Sequence, residues 1–262
     1  MTTLHNITFD DENLKNNSLK YIMSQRHNIR FFDEEKIPSK EMIEQIIQDS
    51  HDFVPHKNNL VQIEINIWGP EHAEEKEALV LNTVCGPGKE YWRPGGKYHN
   101  NFKILKQFYD EWRYCWLNKD RERFKKFKKE IDIDFNEQVR APYLLTFTKR
   151  DRYPTKKQLN NNFHSWVFNY ADNDNKGYKW YLNAGIHGYA LSLLSVNEGL
   201  AASFCKCFFS TPNNYSKILE PISPNGPADK ISYMLGIGYR NKNAEFWAQT
   251  NKSDKDEYIF WK

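Results

Sequence analysis

The sequence predicts a mixed fold of strands and helices, and two patterns predict it. Short segments change character with period two, as strands do, and longer segments repeat apolar residues at three- and four-residue spacing, as helices do against a core. Val61, Ile63, Ile65 and Ile67 alternate with Gln62, Glu64, Asn66 and Trp68, which marks a strand over 61–68. Tyr143 to Thr148 reads as a second strand, and Ile231, Tyr233, Leu235 and Ile237, ending in Gly238, as a third. Among the helical segments, Leu14, Ser18, Tyr21 and Ile22 share one spacing, and Met42, Ile43, Ile46 and Ile47 repeat it after Pro38-Ser39, where Ser39 is placed to cap the helix. Glu71 to Asn82 reads as a helix, after which Gly86-Pro87-Gly88 and Pro94-Gly95-Gly96 bracket a loop with Tyr91, Trp92 and Arg93. Phe102, Leu105, Phe108, Tyr109, Trp112 and Trp116 keep one apolar face over four turns, and Phe124, Phe127 and Ile131 continue it on a shorter basic helix. Ile186, Tyr189, Ala190, Leu193 and Leu194 lie on one face of a central helix at about 183–198. Between the second strand and that helix, residues 149–180 are polar and aromatic without a period, a long excursion of the kind that carries function or covers a site.

Composition narrows the partner. Lys and Arg number 37 against 34 Asp and Glu, a net charge of +3, too balanced to make nucleic acid or an anionic membrane the main partner, so a small molecule is expected. The 39% hydrophobic content suits one domain over 1–262, with no repeat, low-complexity block or linker. No run of about 18 apolar residues occurs, and the opening MTTLHNITFDDENLKNN has neither the apolar stretch nor the cleavage pattern of a secretory signal. A soluble, cytoplasmic protein with reduced thiols is therefore expected. Cys205-x-Cys207 lacks a second ligand pair at zinc-like spacing, so Cys85, Cys115, Cys205 and Cys207 read as thiols, with no metal.

Arg26-His27-Asn28-Ile29-Arg30-Phe31-Phe32, followed by Ile37-Pro38 and the capped helix, resembles the R-x-S-x-R-x-F opening of the nitroreductase family. Pro55-His56-Lys57-Asn58-Asn59-Leu60 resembles its P-S-x-x-N-x-Q-P segment, with Asn59 matching, His56 in place of Ser, and Val61-Gln62 in place of Gln-Pro. Ala141-Pro142-Tyr143-Leu144-Leu145 looks like its A-P-hydrophobic strand. Asn183-Ala184-Gly185 through Gly199-Leu200-Ala201-Ala202-Ser203 looks like its central helix and G-L-G loop, with Asn183 where Asp is frequent and Ala201 in place of the second Gly. Leu235-Gly236-Ile237-Gly238-Tyr239-Arg240 resembles its closing L-G-Y strand. These matches cover less than half the chain, and 85–140 and 149–182 show none.

The resemblance implies a three-layer α+β fold, a mainly antiparallel sheet covered by helices, that binds FMN in sites shared by the two chains of a homodimer. It places Arg26 and Asn28 near the phosphate and ribityl chain, and Arg30 near the pyrimidine edge of the flavin. Guanidinium groups suit a phosphate dianion because their hydrogen bonds to it are bidentate and charge-assisted. Pro55, His56 and Asn59 would reach the flavin from the partner chain, and Ala202, Ser203 and Phe204 would pass its N5 edge. Lys252 or Lys255 would supply a further cation to the phosphate, and the apolar end Tyr258 to Trp261 would pack, against the partner as in the family.

A bound flavin carries redox chemistry itself, which suits a sequence without G-x-S-x-G, paired metal ligands or a persuasive nucleophile. The implied activity is ping-pong reduction of a small aromatic, nitro or quinone-like acceptor, driven by NADH or NADPH through flavin N5, with no catalytic protein acid or base required. Arg30 is the candidate cation for the N1 and C2 carbonyl edge. Relatives of the fold also dehalogenate aromatic rings, oxidise peptide heterocycles or fragment the flavin, and the substitutions at 28, 56, 61 and 62 keep that alternative open. RNA binding by the basic stretch 121–129 is a distant one, since Phe124, Phe127 and Ile131 fall on one helical face, where packing accounts for them. His187, within the apolar helix, reads as a satisfied core histidine. His164, beside Trp166, is a substrate-pocket candidate.

Overall fold

The computed structural model describes residues 19–54, 63–92, 95–98, 101–149, 178–206 and 231–241. Its described elements run α1 (Leu19–Gln25), α2 (Lys40–Phe53), β1 (Ile63–Trp68), α3 (Ala73–Asn82), α4 (Phe102–Leu117), α5 (Arg121–Glu130), β2 (Tyr143–Lys149), α6 (Tyr178–Asn197), β3 (Ala201–Cys205) and β4 (Ile231–Gly238). The four strands form one sheet in the order β1-β2-β4-β3, with every pairing antiparallel. Trp68 lies opposite Leu144, Tyr143 opposite Ile237 and Ala201 opposite Gly238, and the β2–β4 register shifts between Phe147 and Thr148.

Alternation along the central strands sorts their side chains into two cores. Leu144 and Met234 join Trp68, Leu79, Tyr109, Trp112, Trp116 and Phe135 on the side covered by α3, α4 and α5. Tyr143, Leu145, Phe147, Leu235 and Ile237 join Ile43, Ile46, Ala184 and Leu191 on the side covered by α2 and α6. The result is the expected three-layer α+β arrangement, helices on both faces of an antiparallel sheet.

Local chemistry sets the helix ends. Ser39 caps α2 as expected, its hydroxyl accepting from the Met42 amide at 3.2 Å. Asn101 and Asp120 cap α4 and α5 in the same way, through the Ile104 and Arg123 amides. On α4 the buried residues Leu105, Tyr109, Trp112, Cys115 and Trp116 keep the spacing read from the sequence, whereas Phe102 at its start is exposed. Helix α6 ends where Gly199 takes φ +74°; the Leu200 amide returns to the Ser195 carbonyl and the Gly199 amide to the Val196 carbonyl, which closes the helix and turns the chain into β3.

Four readings need correction. The central helix begins at Tyr178 rather than near 183, because the Asn183 match marks a position within it and not its cap. Ala201 to Ser203, read as part of the loop after the central helix, belong to the strand Ala201–Cys205 paired to β4. Residues Pro70–His72 form a 3-10 turn, and the helix proper starts at Ala73. The face of α6 that carries Ile186 and Tyr189 points away from the sheet, and the side against it is Ala184, His187, Gly188, Leu191, Ser192 and Ser195. Helical spacing identifies a face without saying what covers it. The excursion 150–177, the N-terminal half of the first helical pattern, residues 61–62 and the apolar end 258–261 lie outside the described residues.

Candidate functional site

The segment between α1 and α2 lies along the end of the sheet. Phe32 bridges Arg240 in antiparallel sense, the Asp33 amide donates to the Tyr239 carbonyl at 2.8 Å, and the Asn241 amide donates to the Phe31 carbonyl at 3.3 Å. Ile29 and Phe32 are buried and pack around Ala141, with the half-buried Ala201 against them. These apolar anchors hold the stretch on which Arg26, Asn28 and Arg30 alternate.

Asn28 joins two of the candidate segments. Its Oδ1 accepts from the Phe204 amide at 3.0 Å and from the Ser203 hydroxyl at 3.3 Å, across 176 and 175 residues of sequence. A backbone N–H can only donate, so the carbonyl end of the Asn28 amide must face β3, and both Nδ2 hydrogens are left to donate elsewhere. Ser203 is buried, and the Ala202 side chain belongs to the core beneath the sheet rather than to this junction. Just before it, the Arg26 amide closes α1 onto the Ile22 carbonyl at 3.1 Å. The half-buried Arg26 guanidinium has no hydrogen-bond or ion-pair partner among the described residues. A cleft of about 310 Å³ lies next to this junction, between α1 with His27 and Ile29 and the end of α6 with Leu200 and Ala201, and Arg240 borders it; Arg26, Asn28, Ser203 and Phe204 do not line it.

Arg30 is engaged on another element. Its guanidinium donates to the Phe135 carbonyl at 3.1 Å and lies 6.0 Å from the Trp112 ring centre and 5.7 Å from that of Trp116. The neighbouring Phe31 stacks on Trp112 at 5.6 Å and meets Trp116 at 5.7 Å. The structure thus brings Asn28, Ser203 and Phe204 together and sets Arg30 against α4.

Behind Arg30 lies a cluster that sequence reading missed. The carboxylate of Glu137 accepts from the Tyr109 hydroxyl at 2.6 Å and from Arg113 Nε at 3.1 Å. Arg140 donates to the Tyr109 oxygen at 2.6 Å and lies 3.6 Å from the same carboxylate. Glu34 spans Arg113 at 2.5 Å and Arg140 at 3.4 Å. Burial pushes the Glu137 carboxyl above its usual range, opposed by Arg140, the Tyr109 bond and Arg113. Burial also raises the Tyr109 phenol, with the Glu137 charge adding to it. The i, i+3 pair Glu137 and Arg140 and the i, i+4 pair Tyr109 and Arg113 carried the local signals.

His187 is the satisfied core histidine expected, buried with its Nδ1 3.1 Å from the Ser50 hydroxyl. Phe127 on the basic helix is buried, Phe124 packs edge-on to Trp116, and Lys128 pairs with Asp132 and Asp134, so packing accounts for those aromatics. Cys115 and Cys205 are buried and Cys85 is half-buried. Among the described residues no group of three or more His, Cys, Asp or Glu is placed to hold a metal, and no helix is long and apolar enough to cross a membrane. Pro55, His56, Asn59, His164, Lys252 and Lys255 lie outside the described residues.

The class of protein defined by this fold, an antiparallel sheet between two helical layers, is shared by known structures. The FMN and NADPH-dependent nitroreductase NfnB from sphigopyxis sp. strain HMH aligns at a TM-score of 0.53 and 15% identity, over 94% of this chain and 99% of that one. A nitroreductase family protein from Streptococcus pneumoniae TIGR4 aligns at 0.51 and 13%, over 92% and 98%. The enone reductase CLA-ER, of a gut-bacterial fatty acid saturation metabolism, aligns at 0.56 and 13%, over 94% and 98%. This chain therefore has the nitroreductase-like fold over nearly its full length. No family profile matches the sequence, and no curated protein matches it.

Proposed function

We propose that this chain is an FMN-dependent oxidoreductase, a homodimer with flavin sites shared between its chains, that uses NADH or NADPH to reduce a small aromatic, nitro or quinone-like acceptor. The observation that carries the proposal is the Asn28 junction with Ser203 and Phe204. In a fold shared with NfnB, described as FMN and NADPH-dependent, it joins the two sequence segments whose resemblance implies a flavin site.

The residues present fit such a cofactor. Arg26 has a guanidinium uncommitted among the described residues, the donor set a phosphate dianion takes. Two N–H donors of Asn28 Nδ2 suit the ribityl hydroxyls beside it. Arg30 is a cation already fixed in place by the Phe135 carbonyl and two indoles, so it can face the pyrimidine edge without reorganising when negative charge builds there. When bound, FMN supplies the hydride chemistry through N5, and the chain needs only to hold it, orient it and admit substrate to one face. Pro55, His56 and Asn59 from the partner chain, and Lys252 or Lys255, complete the proposed set. On α6, Leu182, Ile186 and Tyr189, at i, i+4 and i+7, are 60%, 42% and 39% exposed. A row of large apolar side chains on the outer face of the central helix suits the proposed dimer.

Stopped-flow mixing of the flavin-loaded protein with NADH and with NADPH tests the activity. Bleaching of the flavin, reversed by a nitroaromatic or quinone, is the expected outcome. A bound flavin that neither nicotinamide reduces would overturn the reductase reading and favour dehalogenation, heterocycle oxidation or flavin fragmentation.

A further inference from the structure

Three fastenings tie residues 30–34 to a single unit made of α4 and the turn 134–140. Arg30 donates to the Phe135 carbonyl at 3.1 Å, Phe31 stacks on Trp112, and Glu34 meets both Arg113 and Arg140. Trp112 is itself anchored to that turn, its indole N–H donating to Asp134 at 3.2 Å. The unit lies within 85–140, where the sequence shows no resemblance to the family. Glu137, 3% exposed, is the hub that joins the two halves of the unit, because Tyr109 and Arg113 come from α4 and Arg140 from the turn.

We infer that Glu137, with Arg113, Arg140 and Glu34, is a positioning cluster for the proposed flavin site, acting through the Phe135 carbonyl that holds Arg30. The inference rests on the flavin reading above. A buried ion cluster is weak support for stability, since apolar packing of the same volume serves as well. What it does provide is one geometry: a carboxylate with donors on both oxygens, and guanidinium groups on two separate elements, can be satisfied together in only one arrangement of turn and helix. That arrangement places the Phe135 carbonyl two residues from the hub and fixes Arg30, the residue that the resemblance assigns to the pyrimidine edge. Glu34 couples the same cluster back to the segment that carries Asn28. All four residues are positioning residues only, since none of them is placed against the proposed cofactor.

Glu34→Gln and Glu137→Gln, each titrated with FMN and followed by thermal melting and by flavin midpoint potential, test this. Glu34 is 54% exposed at its side chain, so Glu34→Gln folds like the parent. It is expected to lose about three- to tenfold in FMN affinity and to shift the potential negative, the scale on which packed networks couple residues. Glu137→Gln should do so more strongly where it folds. Arg123→Gln, which breaks a surface pair between α5 and Glu111 of α4, should leave affinity and potential unchanged. Parent-like affinity and potential in a folded Glu34→Gln protein, or a lowered melting point without either change, would overturn the positioning role. A parent protein that takes up no FMN would instead overturn the flavin reading, and this inference with it.

Discussion

Lys76 places an ammonium where water scarcely reaches it. Its side chain is 2% exposed, and Nζ donates to the Ala141 and Pro142 carbonyls, both at 2.8 Å, which ties α3 to the start of β2. Burial lowers its pKa to about 8; Glu71 and Glu75 oppose that shift and Arg140 adds to it. Between about 8 and the ordinary 10.5 the unfolded chain binds a proton that the folded one does not. Stability should therefore rise with pH across that window, by roughly 3 kcal/mol in total. Denaturant unfolding from pH 7 to 10.5, compared with Lys76→Met, checks this: the parent curve should climb relative to the variant, and parallel curves would place the pKa elsewhere. Arg26 is the opposite case, a guanidinium that folding leaves uncommitted among the described residues. Arg26→Ala should therefore melt within a degree or two of the parent yet bind FMN at least tenfold more weakly, because a charged hydrogen bond of about 1.5–3 kcal/mol is lost. Equal affinity in a direct titration would remove Arg26 from the site.

Among the elements, α6 and β4 approach each other closely at Gly188. A Cβ there would coincide with the Tyr233 hydroxyl, which donates to the Ala184 carbonyl one turn away. Gly188→Ala should cost about 1–3 kcal/mol by overpacking, read as a melting point several degrees lower. Tyr233→Phe in the same chain should recover part of it, and additive losses would show that the hydroxyl is not the obstacle. This close approach illustrates what the sequence discloses and what it hides. Period-two strands, the Ser39 cap and the aromatic face of α4 are legible because each is a local pattern read against one core. The Asn28 contact spans more than 170 residues, so only the family resemblance could pair those segments. Glu34, Tyr109, Arg113, Glu137 and Arg140 share no spacing that would mark them as one cluster; three-dimensional packing of the unmatched stretch assembles them. On helix α6 the spacing marked the face of Ile186 and Tyr189, which is the outer one, because a periodicity identifies a face without saying what covers it.

At the scale of the whole molecule, the exposed apolar residues of α6 are joined by Leu19 and Met23 on α1, 62% and 45% exposed. In a proposed dimer these faces are covered, and Ile186→Glu, which places a charge in the middle of the α6 row, should release monomers that no longer retain FMN. Light scattering of the flavin-loaded parent at micromolar concentration should give twice the chain mass; the mass of one chain with flavin still bound would refute shared sites and the role of Asn59. The claim beneath all of this is that the Asn28 junction builds a flavin site. The absorbance spectrum of the purified protein, supplied with FMN and then desalted, tests it most directly. The account predicts retained flavin bands at about one FMN per chain; a folded protein that emerges colourless would contradict it.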